Sequence, residues 1–427
     1  MTQKENSKDF SPGRRRTGNL FFTIVLILLS YNSHLLWAQS ENNLIVTGTI
    51  DSFHSKILDE ERKLWIYVPD IASKKHQSEQ KFPVIYLLDG PSNFYSVVGL
   101  VDRLSATMII PPMIIVGIAN NNRFRDLTPT KPEEENQMPL PPFVGGGEAF
   151  ISCIEEELIP YIDANYPTAP YRMLIGHSLG GLMVIHTLLN HSHLFNQYLS
   201  LDPSLWWDNN IMEKKADSIF QKETFEGKAL YLAMAHNGIP EGMAFESVLL
   251  DTTENTQNAR PILQFSNVLK ARNPKGLRAM FQYYPEDNHG SVTMIATYDA
   301  LRFFFKKYTI PASLHYQIPD PAFQADSAIT AHFKTASVHM GYEILPPEDF
   351  VNENAYAMMY GEDMERAYKL FDLNVRNYPK SFSAHNSMGE YYVTMDDKEN
   401  AIRCFSKALE IKEIAATRKK LDELKAK

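Results

Sequence analysis

Residues 175–181 read IGHSLGG, placing a serine at position 178 between glycines and directly after the apolar stretch YRMLI. A G-x-S-x-G sequence has chemical meaning where a strand leads into it and a helix leads out, because the tight turn then lifts the hydroxyl above the sheet edge. Both conditions are met: YRMLIG has strand composition, and LGGLMVIHTLLN continues as an apolar helix. The start of that helix offers free backbone N–H groups to a developing oxyanion. Ser178 is therefore a candidate nucleophile, and His177 a residue packed beneath the turn.

A serine hydroxyl is a weak nucleophile at neutral pH and needs a general base. Where the serine sits on a strand-to-helix turn, the histidine comes last in chain order. His289, in the polar loop PEDNHGSV after the apolar run RAMFQYYP, has that order and that setting. His186 and His191 fall in the helix after the serine, His236 comes earlier, and His315 lies beyond the sheet-forming part. An acid must fix the imidazole tautomer. Asp251, after the run ALYLAMA and before His289, is the preferred candidate, with Glu254 in the same segment. Asp202 in LSLDPSLWWD, Glu286 and Asp287 remain open. Oxyanion donors are expected from the N–H of Leu179 and from the loop after PVIYLLDG, where Pro91 has no N–H and Gly90 or Ser92 must serve.

The elements that must hold these groups recur along residues 44–310. KLWIYVP, PVIYLLDG, MIIVGI, YRMLIG, YLSLDP, ALYLAMA and RAMFQYYP alternate with helical stretches, and most are apolar throughout. Strands covered on both faces have that composition, so the spacing predicts an α/β domain with a mostly parallel sheet. Residues 311–350 carry Pro311, Pro319, Pro321, Pro346 and Pro347 and are expected to form a connection. Residues 351–427 are helical and repeat at a period of 34: Ala367 with Ala401, Phe371 with Phe405. Pro379, Gly389, Tyr392 and Ala408 also occupy tetratricopeptide positions, whereas Asn374 stands where a small residue is expected. Two such units leave apolar faces that must pack on the first domain, on a partner protein or on a second copy.

At the amino end, Arg14, Arg15 and Arg16 precede LFFTIVLILLS, and Ala38 follows. Residues 1–38 are read as a secretory signal, giving a periplasmic or secreted protein; the apolar run is short for a membrane anchor. No cysteine follows that run, which removes a lipoprotein reading. Residues 1–38 carry five basic and two acidic groups, so their loss takes the formal charge from −9 to −12. Nucleic acid is excluded as a partner on that balance. Cys153 and Cys404 lie far apart, and no structural disulfide is expected. Without CxxC or His-x-x-x-His spacing, no metal site is expected either, and the serine chemistry calls for no cofactor.

Taken in order, VTGTIDSFHSKILDEERKLWIYVP, PVIYLLDG, NNRFRDLTP, GHSLGG, DPSLWWD and NHGSVTMIATYDALRFFF resemble the esterase family that includes esterase D and the ferric-enterobactin esterases. The resemblance covers about residues 44–308. It implies an α/β-hydrolase fold, Ser178 as nucleophile and His289 as base, and members of the siderophore branch work with a weak or absent acid. It also implies that Arg123 and Arg125 bind an anionic part of the substrate; the alternative is an ion pair with Asp126. Trp206 and Trp207 are candidates for a flat pocket wall, or one of them for core. The expected activity is hydrolysis of a small-molecule ester, such as a siderophore lactone or acylated sugar, through an acyl-enzyme. Acyl transfer on the same scaffold and a non-catalytic adaptor are the alternatives, and a helical tail departs from the compact members of the family.

Overall fold

Strand and helix periods divide the chain as the apolar runs predict. The computed structural model describes residues 45–69, 80–132 and 141–426, so the expected leader, residues 1–38, lies outside the described residues. Gly48–Lys427 forms one unit. Its sheet has eight strands: β1 Thr49–Ser55, β2 Glu60–Tyr67, β3 Phe82–Leu87, β4 Ile114–Ile118, β5 Thr168–His177, β6 Gln197–Leu201, β7 Lys228–Ala235 and β8 Leu277–Tyr284. Their order is β1-β2-β4-β3-β5-β6-β7-β8. β1 and β2 are antiparallel and β2 runs antiparallel to β4; every pairing from β4 to β8 is parallel.

The inner parallel strands β3, β4, β6 and β7 are buried along nearly their whole length because helices cover both faces, whereas β8, at the sheet edge, carries Arg278 and Gln282 and is mostly half-buried or exposed. Besides a single turn at Arg123–Asp126, the α-helices of this part are α1 Gly90–Ala106, α2 Gly147–Cys153, α3 Ile159–Asn165, α4 Leu179–Asn190, α5 Trp207–Lys222, α6 Ala259–Arg272 and α7 Val292–Phe304. Alternation along each strand separates two cores. Ile85, Leu87, Met173, Ile175 and Tyr231 meet α1 and α7 on one face, while Val84, Tyr86, Leu174 and Leu230 meet α2, α4 and α6 on the other. β2, nearer the edge, instead alternates buried Arg62, Leu64 and Ile66 with more exposed neighbours.

Beyond the sheet, the proline-rich stretch is not a bare connection. It holds α8 Ala312–Gln317 and α9 Ala325–Met340, and its prolines mark helix starts and the turns between them, where a missing N–H costs nothing. Then come α10 Glu348–Tyr360, α11 Met364–Asn377, α12 Phe382–Thr394, α13 Lys398–Ile411 and α14 Ala415–Ala426. The 34-residue offset reappears as α11 and α13, each of 14 residues and each capped by an aspartate, Asp363 and Asp397, whose side chain accepts from the backbone N–H three residues on. Cys153 and Cys404 are free and buried. Among the described residues no helix is long and apolar enough to cross a membrane.

The sheet and the helical tail share one core. Phe304, Phe305 and Tyr308 join Phe333, Phe350 and Phe371 in the same buried cluster as α1 and α7. Tyr308 packs edge-on against Phe333 at 5.7 Å, and His332 Nε2 lies 2.9 Å from the Tyr308 carbonyl oxygen, to which it donates. Truncation after Pro319 uncovers several large side chains, each worth about 1.5–3 kcal/mol when buried, against a net domain stability of roughly 5–15 kcal/mol. The truncated chain is expected to be insoluble or to melt more than about 10 °C below the full chain. Solubility and a thermal melt check this, and an equally stable truncate would refute a shared core.

Candidate active site

Ser178 sits between the last residue of β5 and the first of α4, at φ 60° and ψ −118°, a conformation that costs a non-glycine residue energy. The turn tolerates nothing larger than glycine at position 176, since a Cβ there would fall on the backbone of Gly180. Both neighbouring segments grip the serine backbone. Its N–H donates to the Leu201 carbonyl at 3.0 Å, and its carbonyl accepts from the N–H groups of Leu182 and Ser204, each at 3.0 Å. The hydroxyl's hydrogen-bond partner among the described residues is Ser204 Oγ at 3.3 Å.

Asp202 follows β6, the strand next to β5, and its side chain is fully buried. The Ala235 N–H donates to Oδ1 at 2.9 Å and Asn237 Nδ2 donates to Oδ2 at 3.1 Å. Oδ2 also accepts from His289 Nδ1 at 2.6 Å. A carboxylate can only accept, so the imidazole proton is on Nδ1 and the Nε2 lone pair is left to take a proton. His289 stands in the loop between β8 and α7, and its side chain is partly exposed.

His177, set aside in the sequence as a residue under the turn, holds that loop. Its ring lies 4.3 Å from the His289 ring, and its Nε2 donates to the His289 carbonyl at 2.7 Å. Burial, with His289 alongside, pushes its pKa down to about 4, so the ring is neutral and the proton is on Nε2. The unfolded chain, with a histidine near 6.5, binds the extra proton first. Stability contributed above pH 6.5 is therefore lost as pH falls towards 4. His177→Gln keeps an N–H donor but has nothing to titrate. Its loss of unfolding free energy between pH 7 and pH 4.5 is expected to be about 2 kcal/mol smaller than that of the parent chain, measured in urea. Equal losses would show that His177 is not the titrating group.

Several residues singled out in the sequence are placed elsewhere. Asp251 is not beside His289: its carboxylate accepts from the hydroxyls of Thr253 at 2.7 Å and Thr256 at 2.8 Å, capping an exposed turn. Asp202 holds the position expected for the acid. Glu254 is in the same exposed turn as Asp251, and Asp287 accepts from Ser291 Oγ at 2.7 Å. Arg123 and Arg125 are both paired with carboxylates rather than held out to a ligand. Arg123 grips Asp89 in a two-pronged contact of 2.9 and 3.0 Å, while Arg125 meets Glu60 at 2.6 Å and Asp126 at 2.8 Å. Trp207 is core, its indole N–H donating to the Thr130 carbonyl at 3.1 Å; Trp206 beside it is half-buried.

The oxyanion candidates lie at two helix starts. Leu179 opens α4 and Gly90 opens α1, so neither N–H has an intrahelical acceptor. The loop carrying Gly90 stands over the serine turn: the Leu88 N–H donates to the Ile175 carbonyl at 2.9 Å, and Asp89 Oδ2 lies 3.5 Å from where a Cβ of Gly180 would be. Gly90 itself must lack a side chain, because a Cβ would run into Gly117 of β4. Ser204, Asn237 and Asp89 were not singled out in the sequence. Asp202 and Ser204 share the stretch DPS at the carboxyl end of β6, the place in an open parallel sheet where ligands bind, and that position is the signal that marks them.

The family model described as "Putative esterase" matches residues 55–264. The ferri-bacillibactin esterase of Bacillus subtilis is 31% identical over 240 residues, which are 52% of this chain and 78% of that protein. An IroE-like serine hydrolase from Shewanella oneidensis is 31% identical, with a TM-score of 0.63 over 77% of this chain and 99% of that one. An uncharacterised protein from Capnocytophaga ochracea, 19% identical, shares the fold at a TM-score of 0.55 over 89% of this chain and 99% of its own. That last share is larger than the sheet-bearing part of the chain, so the likeness in fold extends into the helical tail. With an eight-stranded sheet, the serine turn and this kinship together, the chain belongs to the esterase family and is a hydrolase acting on esters.

Proposed function

We propose that this protein is an exported serine esterase that cleaves a small-molecule ester through an acyl-enzyme. The observation that carries this reading is the 2.6 Å contact of buried Asp202 with His289 Nδ1, beside a serine held at a strained strand-to-helix turn. The hydroxyl rotates from Ser204 towards the imidazole. Ser178 Oγ attacks the ester carbonyl as His289 Nε2 takes its proton, and the N–H groups of Leu179 and Gly90 receive the oxyanion. The imidazolium returns the proton to the leaving alcohol. Water, deprotonated by the same nitrogen, then releases the carboxylic acid and frees Ser178.

The substrate class we favour is a siderophore ester, on the strength of the ferri-bacillibactin esterase among its relatives. Such a site must admit a bulky polyester, and a half-exposed His289 is consistent with an open mouth. Export through residues 1–38 agrees with a substrate met outside the cytoplasm. Most buried apolar residues of α8 to α12 lie in the core shared with the sheet, and Ala401, Phe405, Leu409 and Leu421 form a small core of their own, so neither a protein partner nor self-association through these faces is part of this reading. The test is a panel of trilactone siderophores, free and iron-loaded, beside feruloyl and acetyl sugar esters. Treatment with an organophosphorus reagent should add one phosphoryl group, at Ser178. Turnover confined to the sugar esters would overturn the substrate class, and labelling at another residue would overturn the nucleophile.

A further inference from the structure

At the far end of α4 from Ser178, three side chains converge that the ester chemistry does not use. Glu148 is the second residue of α2, His186 lies in the last turn and a half of α4, and His191 follows that helix. α4 has 12 residues, so roughly 18 Å of helix separates its ends. Both imidazoles turn Nε2 onto the one carboxylate, His186 to Oε1 and His191 to Oε2, each at 2.9 Å. The three ligand atoms lie within 4.8 Å of one another.

We propose that Glu148, His186 and His191 form a divalent transition-metal site, with Zn²⁺ the fitting ion, that fastens the end of α4 to α2. The His186 contact is the informative one. The residue is 1% exposed, and its Nε2, though close to Glu148, is buried without a hydrogen bond because the ring is misaligned for N–H···O. A buried nitrogen aimed into a cluster and left unsatisfied is costly. A metal ion satisfies it by its lone pair instead. Zn–N and Zn–O bonds of about 2.0–2.2 Å put tetrahedral ligand atoms some 3–3.5 Å apart, so the present spacing needs only a small adjustment. Two histidines and one glutamate are a known donor set for this ion, with a fourth position left to water.

The surroundings agree with a neutral imidazole. Burial of the ring, 1% exposed, disfavours its charged form. Ligation through Nε2 requires the proton on Nδ1. The Asn190 amide, now 3.2 Å from Nδ1, must therefore turn its oxygen there and give up its 2.9 Å bond to the His186 carbonyl. In return its oxygen fixes the tautomer and the ring direction, as partners of metal-bound histidines commonly do. His193 is not part of the set: its Nε2 meets Glu155 at 2.7 Å.

The experiment uses the full chain after chelation and dialysis, titrated with ZnCl₂ in a calorimeter, and with CoCl₂ to read coordination from the visible spectrum. Wild type is expected to bind Zn²⁺ at this site with a dissociation constant below about 1 μM, and to melt at a higher temperature with the metal. Glu148→Gln and His191→Asn, both outside the core, should each weaken that binding at least about 10–100-fold and lose the thermal shift. His193→Asn should bind as wild type. The proposal is overturned if wild type takes up no Zn²⁺ at about 100 μM, or if both ligand variants bind and shift as wild type does. A Zn²⁺ site lost only in His193→Asn, or only on replacing His289, would assign the metal elsewhere and overturn it equally.

Discussion

Ser178→Ala is expected to lower turnover of the best ester found by about 10⁴- to 10⁶-fold, and His289→Ala by a similar factor. The two residues act as one unit, since a base that no longer faces a nucleophile has nothing to activate, so the double variant should fall no further. A residue of rate above that in water remains, because oxyanion donors and substrate binding survive the loss. Stability separates this outcome from simple unfolding. Alanine meets the same backbone strain as serine at φ 60°, so Ser178→Ala should melt close to the parent chain. Ser178→Gly, inactive to the same degree, should melt higher, because glycine adopts that conformation without the penalty of about 1–3 kcal/mol. Initial rates and thermal melts on the parent and the four variants check this. A folded Ser178→Ala with the parent's turnover would reduce the serine to a turn residue.

The residues that set this expectation were legible for a local reason. A strand buried on both faces is apolar almost without interruption, as β3, β4 and β7 are, and the seven quoted runs fall on seven strands of the sheet. Gly176 is demanded by a contact inside the turn itself, with the backbone of Gly180. His289 follows from chain order and from its polar loop. For the strand runs and for Gly176 the signal lies within about ten residues of the effect, and for His289 the polar loop is local while the order spans the domain. β1 was not singled out because its run, TIDSFHS, is polar and exposed, pairing with β2 alone.

What stayed hidden depends on pairing across the chain. For Arg123 the sequence offers an anionic substrate or Asp126 as partner, and the partner is Asp89, 34 residues earlier; Arg125 does meet Asp126, but also Glu60, 65 residues earlier on β2. The acid is the same case. Asp251 and Asp202 both sit in loops after strands, and only the order of strands decides between them: β6 lies between β5 and β7, so its end faces both the serine turn and the Asn237 loop. The proline-rich stretch misled for the opposite reason. Proline disrupts helix interiors, but it is tolerated at their starts, and composition alone does not say which applies.

Asp202→Asn tests that assignment most sharply, with an expected loss in kcat of about 10²- to 10⁴-fold and little change in KM. The direction follows from the hydrogen bonds. The Ala235 N–H needs an acceptor, so the asparagine oxygen takes the place of Oδ1 and the amide nitrogen that of Oδ2. That nitrogen faces His289 Nδ1, which must then become an acceptor, and the ring proton moves to Nε2. A protonated Nε2 cannot accept the serine proton. The nucleophile is intact but idle, which lowers kcat rather than binding. Asn237, whose own amide nitrogen donates towards the same oxygen at 3.1 Å, is left opposing a second donor, so a modest loss of stability accompanies the kinetic one. Asp251→Asn changes only an exposed cap held by Thr253 and Thr256, and its turnover should match the parent's. Steady-state kinetics on both variants decide the matter. If Asp251→Asn loses more kcat than Asp202→Asn, the 2.6 Å contact is not the one that orients the base, and the acid must be sought on the loop after β7.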